Sequence, residues 1–119
     1  MIERERTKKL TIYLDETEQW KGRALYEALI ALFHKNNVAG LSLFRGFAGY
    51  GQGRVLHTTK ILQLSENLPI KIEVIESPET IDRLLPEITG MVRKGLIEVS
   101  DTEVIRRGEF LNEPQGGNV

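Results

Sequence analysis

The 119-residue sequence predicts a single α+β domain with the element order β-α-β-β-α-β. Three observations predict it. Apolar residues alternate with polar ones around Leu10–Leu14, Leu41–Phe47, Ile70–Glu76 and Leu96–Ile105, the period of a half-buried strand. Between the first and second of these, and between the third and fourth, apolar residues recur at helical spacing. Glycine, proline and asparagine stand at the junctions, where the chain has to turn.

Each element has its own justification. Residues 1–7 are polar and are expected to be flexible. From Lys8 on, Leu10, Ile12 and Leu14 alternate with Thr11 and Tyr13, which reads as the first strand. Asp15 to Lys21 reads as a polar connection. The first helix is expected from Gly22 to Asn36, with Leu25, Leu29, Leu32 and Phe33 on one face and Asn36, Asn37 and Gly40 ending it. The second strand carries Leu41, Leu43, Arg45 and Phe47 on one side and Ser42 and Phe44 on the other. Gly46, Gly49, Gly51 and Gly53 then break the alternation into a loop, and His57 to Leu64 reads as a short edge segment.

The third strand, Ile70 to Glu76, follows Leu68-Pro69. Ser77-Pro78 marks the second helix start: a serine cap, then proline at the first helical position. Ile81, Leu84, Leu85 and Ile88 form its apolar stripe, and Pro86 inside it is expected to kink or split the helix. Gly90 and Gly95 flank a turn before the fourth strand, Leu96 to Ile105. The domain is expected over residues 8–108, followed by a flexible tail over 109–119. Two right-handed crossovers onto one antiparallel sheet make this a ferredoxin-like split βαβ arrangement.

Helices on one face leave the other face open. There Tyr13, Phe44, Ile75 and either Ile97 or Leu96 fall out of phase with the core set, so self-association is expected.

Composition excludes several function classes. Lys and Arg number 16 against 17 Asp and Glu, so no strong field draws the chain to nucleic acid or to a membrane surface. The absence of cysteine excludes disulfides, thiolate metal sites and cysteine catalysis, and fits a cytoplasmic location. Two histidines, His34 and His57, have no carboxylate cluster at catalytic or metal-binding spacing. No catalytic residue and no metal ligand is therefore assigned.

The chemistry concentrates at glycines. Arg45-Gly46-Phe47-Ala48-Gly49-Tyr50-Gly51-Gln52-Gly53-Arg54 lets successive backbone N–H groups converge on an anion. Arg45, Arg54, His57 and Lys60 supply cations for phosphate oxygens, and Phe47 and Tyr50 supply faces for a base. The run is neither a Walker A loop nor a Rossmann fingerprint. On its residues alone it reads either as a mobile hairpin loop or as an anion site. Thr89-Gly90-Met91-Val92-Arg93-Lys94-Gly95 is a second, basic turn, readable as a helix end or as a phosphate contact through Lys94. Arg106-Arg107 closes the last strand.

The stretch from Val38 to Gly51, with Ala24 to Leu29, Leu56 to Leu62 and Leu64 to Pro69, resembles the signature of a prokaryotic domain family of unknown function, number 190. That family looks like a branch of the PII-like superfamily of nitrogen-regulatory signalling proteins. The resemblance spans about residues 8–107. It implies a homotrimer with ligand clefts between subunits. One wall would be Arg45, Gly46, Phe47, Gly49, Tyr50 and Gly51, with Arg54 and His57. The other would be Gly90, Lys94 and Gly95, with Arg106.

In PII proteins three glycines form the phosphate turn before the last strand; Arg93 and Lys94 stand there in this chain. Fewer N–H groups can then converge on a triphosphate, so AMP or ADP is expected over ATP. The resulting expectation is a non-enzymatic regulator that requires no cofactor. It would bind an adenine nucleotide and control a transporter or enzyme partner. The competing readings are a slow nucleotide hydrolase using His57 or Glu73, and a metal-responsive trimer.

Overall fold

A computed structural model describes residues 3–49, 57–58 and 68–105. Among the described residues ten elements follow one another: β1 (Glu5–Asp15), β2 (Gln19–Trp20), β3 (Arg23–Ala24), α1 (Leu25–Lys35), β4 (Leu41–Arg45), β5 (Ala48–Gly49), β6 (His57–Thr58), β7 (Pro69–Glu76), α2 (Pro78–Met91) and β8 (Leu96–Val104). Four strands form one antiparallel sheet in the order β4-β7-β1-β8. The two helices connect strands that are not neighbours: β1 to β4 through α1, and β7 to β8 through α2. This is the expected ferredoxin-like arrangement, with the most buried strands, β1 and β7, at the centre.

The core lies between sheet and helices. Leu10, Ile12 and Leu14 of β1 pair with Val74, Ile72 and Ile70 of β7, and all six are buried. Leu25, Leu29 and Phe33 of α1 and Ile81, Leu84 and Ile88 of α2 close over them. Residues directly opposite across a ladder share a face. Ile97 pairs with Ile12 and therefore joins the core side; Leu96 pairs with Tyr13 and takes the open face. The open face holds Phe44, Tyr13 and Leu96 near one end, with Ile75 farther along, all at least 39% exposed.

The structure departs from the sequence expectations at several junctions. β1 begins at Glu5 rather than Lys8, because the ladder with β8 continues to Glu5↔Val104. The supposed polar connection contains the β2–β3 hairpin, turned at Lys21 (φ 48°) and Gly22 (φ 85°), the two positive angles that a primed two-residue turn requires. This hairpin consumes Gly22 to Ala24, so α1 starts at Leu25, whose N–H donates to the Glu18 carbonyl at 2.8 Å. At its other end Asn37 adopts φ 59°, and the Val38 N–H reaches back to the Phe33 carbonyl at 3.1 Å.

β4 ends at Arg45, so Phe47 lies beyond the strand instead of continuing its alternation. The expected edge segment His57–Leu64 is present as His57–Thr58 paired with Ala48–Gly49; residues 59–64 lie outside the described residues. α2 is one continuous helix across Pro86. Pro86 is on its exposed side, where water can satisfy the carbonyl that loses its partner, while Leu84 and Ile88 anchor both halves. The predicted cap is in place: the Ser77 hydroxyl accepts from the Thr80 N–H at 3.2 Å.

Candidate functional site: a glycine-bearing rim at one end of the sheet

Strand directions bring four chain segments to one end of the sheet. β1 and β4 finish there, at Asp15 and Arg45; β7 and β8 start there, at Pro69 and Leu96. Across this rim the order is Arg45-Gly46, then Leu68-Pro69, then Asp15-Glu16, then Lys94-Gly95. Both glycine segments singled out in the sequence therefore reach the same end of the molecule.

They do not meet within one chain. β4 and β8 are the two outer strands, with β7 and β1 between them. Three interstrand spacings separate the walls by about 14 Å. A single copy of the chain presents the two segments on opposite edges of the sheet.

The glycines at the rim have steric reasons to be there. The Gly46 N–H donates to the Pro69 carbonyl at 2.8 Å, and a Cβ on Gly46 would stand 2.7 Å from the Pro69 side chain. A Cβ on Gly95 would overlap the Tyr13 carbonyl oxygen and approach Val92 Cγ1 to 2.9 Å. Gly95 is thus the point where β8 enters the sheet tightly against β1. Gly90 differs from expectation. It lies inside α2, which continues to Met91, and a Cβ there would meet nothing within 4 Å. The turn consists of the residues after Met91, because Met91 and Val92 are still buried in the core and hold the chain against the sheet.

The polar side chains at the rim divide by wall. Phe47 is 84% exposed beside Gly46, a position from which a ring can meet a ligand. Arg45 is engaged: Nε donates to Glu16 Oε2 at 3.1 Å and Nη2 to Glu16 Oε1 at 2.9 Å. Glu16 also ties the rim together, since its N–H donates to the Leu68 carbonyl at 3.0 Å and its carboxylate receives the Leu68 N–H at 3.4 Å. Sequence reasoning missed Glu16, which lies in the segment read as a polar connection. On the other wall Arg93 and Lys94 are exposed and have no ion pair among the described residues. Gly49 and His57 are opposite one another in the β5–β6 pairing. Tyr50, Gly51, Arg54 and Arg106 lie outside the described residues.

Among the described residues no three His, Cys, Asp or Glu side chains group closely enough to hold a metal ion. Glu73, the candidate base, sits on the open face 3.2 Å from Lys71 Nζ, away from both glycine segments. No described helix is long and apolar enough to cross a membrane.

Known proteins resemble this chain along most of its length. The model of the family DUF190, described as an uncharacterised ACR, matches residues 7–104. A UPF0166 protein of Aquifex aeolicus is 37% identical over 98 residues, 82% of this chain and 92% of that protein. A UPF0166 protein of Methanocaldococcus jannaschii is 31% identical over 102 residues, 85% of this chain and 94% of that protein. Among solved structures, CPII from Thiomonas intermedia K12 is a nitrogen regulatory PII-like protein, bound to ADP, AMP and bicarbonate. It superposes with a TM-score of 0.65 at 20% identity, covering 87% of this chain and 99% of CPII. A putative PII-like signalling protein from Thermus thermophilus gives a TM-score of 0.62 at 17% identity, covering 86% of this chain and 92% of that protein. At these identities the structural matches speak for the fold.

Proposed function

The chain belongs to the DUF190 family and has a PII-like fold, and from that premise we propose that it is a regulatory protein binding an adenine nucleotide at the glycine-bearing rim. The observation that carries this reading is the placement of Arg45-Gly46-Phe47 and Arg93-Lys94-Gly95 at the same end of the sheet but on its opposite edges. Copies arranged edge to edge would bring one copy's first wall to its neighbour's second. The ligand would then occupy clefts between subunits, with backbone N–H groups and basic side chains taking the phosphates and Phe47 the base. The open face supports self-association, because Phe44, Tyr13, Leu96 and Ile75 expose apolar surface there, and the PII resemblance makes a homotrimer the expected assembly.

AMP or ADP is favoured over ATP, since Arg93 and Lys94 occupy a turn that holds a single glycine, Gly95, and that glycine is packed against β1. The protein acts without a required cofactor and without catalysis. Nucleotide binding changes the surface presented to a transporter or enzyme. CPII, whose fold this chain shares, was found with ADP and AMP bound, and this motivates the choice of ligands.

The test is calorimetric titration of AMP, ADP and ATP, with native mass spectrometry of the same sample. Saturable binding of AMP or ADP to a trimer is expected. Binding by a monomer, or ATP bound tenfold tighter than AMP, would overturn the model. Release of phosphate abolished by His57→Ala would establish the hydrolase reading instead.

A further inference from the structure

The ion pair at the rim makes the two walls electrically unlike. Arg45 is the last residue of β4, directly before Gly46-Phe47. Glu16 grips its guanidinium side-on, through Nε and Nη2, in the bidentate geometry that fixes an arginine most firmly. The Glu16 side chain is the more buried partner, 24% exposed against 45% for Arg45. Its backbone and carboxylate are both tied to Leu68, so the carboxylate stays in place when a solvent anion approaches. Two of the five guanidinium N–H groups are used by Glu16, and among the described residues the Nη1 edge remains to donate. Among the described residues the β4 wall therefore offers hydrogen bonds but almost no net charge. Arg93 and Lys94, on the β8 wall, have no such counter-charge among the described residues.

We infer that Glu16 is a specificity-determining residue: by cancelling the charge of Arg45, it limits the phosphate charge that the β4 wall can hold. This rests on the nucleotide-binding reading and deepens it. An anion meeting the free edge of Arg45 also meets the Glu16 carboxylate behind it. Attraction and repulsion nearly offset, so each further phosphate gains little from this wall. The hydrogen bonds survive, which suits a ligand of few charges. Glu16→Gln removes the negative charge in nearly the same shape and keeps a carbonyl acceptor for the guanidinium. The wall then gains one positive unit, which at about 4–6 Å in a watery environment changes affinity roughly three- to sixfold per unit of ligand charge. AMP and ATP differ by two units, so even at the longer distance their affinity ratio should move about tenfold.

The experiment is calorimetric titration of AMP, ADP and ATP, without magnesium, on the wild type, Glu16→Gln, Glu16→Asp and Arg45→Gln. Glu16→Gln should shift the ATP:AMP affinity ratio about tenfold toward ATP, and high salt should shrink that shift. Glu16→Asp, which keeps the charge, should stay near the wild-type ratio. Arg45→Gln leaves Glu16 uncancelled and should move the ratio the other way, which tests the idea even if Glu16→Gln folds poorly. A purely structural Glu16 would weaken all three nucleotides alike and leave the ratio unchanged, and that result overturns the inference while leaving nucleotide binding intact. Failure of every nucleotide to bind any of the proteins overturns the binding reading, and the inference with it.

Discussion

Alanine substituted at Gly95 and at Gly90 should shift stability in opposite directions, although the two glycines are five residues apart in one segment. At Gly95 the new methyl group would overlap the Tyr13 carbonyl oxygen and press on Val92 Cγ1 at 2.9 Å. The first obstacle is the backbone of a central strand and cannot rotate away. β8 must draw back from β1 where Tyr13 pairs with Leu96 and Ile12 with Ile97. Overpacking of this kind costs about 1–3 kcal/mol, and the disturbed ladder places Gly95→Ala near the upper end, at about 3 kcal/mol. For a domain of this size that lowers the melting temperature by roughly 10 °C. Gly90 is helical, has open space around its Cα and lacks a positive φ. Gly90→Ala removes backbone freedom from the unfolded chain and should stabilise by about 0.5–1 kcal/mol. Urea titrations followed by circular dichroism give both numbers. Equal stability of Gly95→Ala and the wild type would refute the close approach of β8 to β1. Destabilisation by Gly90→Ala would refute the extension of α2 through that residue.

Other substitutions probe the core, the helix ends and the open face. Phe33→Ala empties a site that is 1% exposed between α1 and the sheet, and should cost about 3–5 kcal/mol in the same titration. Ser77→Ala removes the acceptor of the Thr80 N–H and should cost about 1 kcal/mol, while Ser77→Asp should stay close to the wild type. Asn37 holds φ 59° after α1, so Asn37→Val should destabilise by about 1–2 kcal/mol and Asn37→Gly should be neutral or better, as thermal melts would show. Lys71 Nζ lies 4.7 Å from the Phe44 ring centroid on the open face; Lys71→Met should cost no more than about 1 kcal/mol in a melt, and a larger loss would mean that the contact is not the exposed one described.

On the proposed reading, the two walls of the rim let a small chain with little net charge select for an anion. Neither wall is a complete site, and the one nearer Phe47 has its arginine already neutralised by Glu16. On that reading selectivity rests on matching hydrogen bonds and modest charge rather than on a strong field.

Much of the fold was legible in the sequence because burial imposes a period. Leu10, Ile12 and Leu14, then Ile70, Ile72 and Val74, must all face the helices, and a strand places every second residue there. The Ser77-Pro78 start of α2 was equally plain, since capping is a contact within four residues. The β2–β3 hairpin escaped notice because two paired residues on each side leave no alternation to read. That Pro86 does not split α2 depends on which side of the helix meets water, which the helix sequence alone does not decide.

The same division runs through the candidate site. The sequence by itself determined that glycines and cations cluster around Arg45–Gly51 and Gly90–Gly95. Tertiary structure decided what each of them does. It packed Gly46 against Pro69 and Gly95 against Tyr13, moved Gly90 into a helix, and joined Arg45 to Glu16, 29 residues away. Those contacts depend on the strand order β4-β7-β1-β8, which makes residues remote in the chain into neighbours at one end of the sheet. A local pattern records which face a residue buries; it holds no record of what will stand beside it.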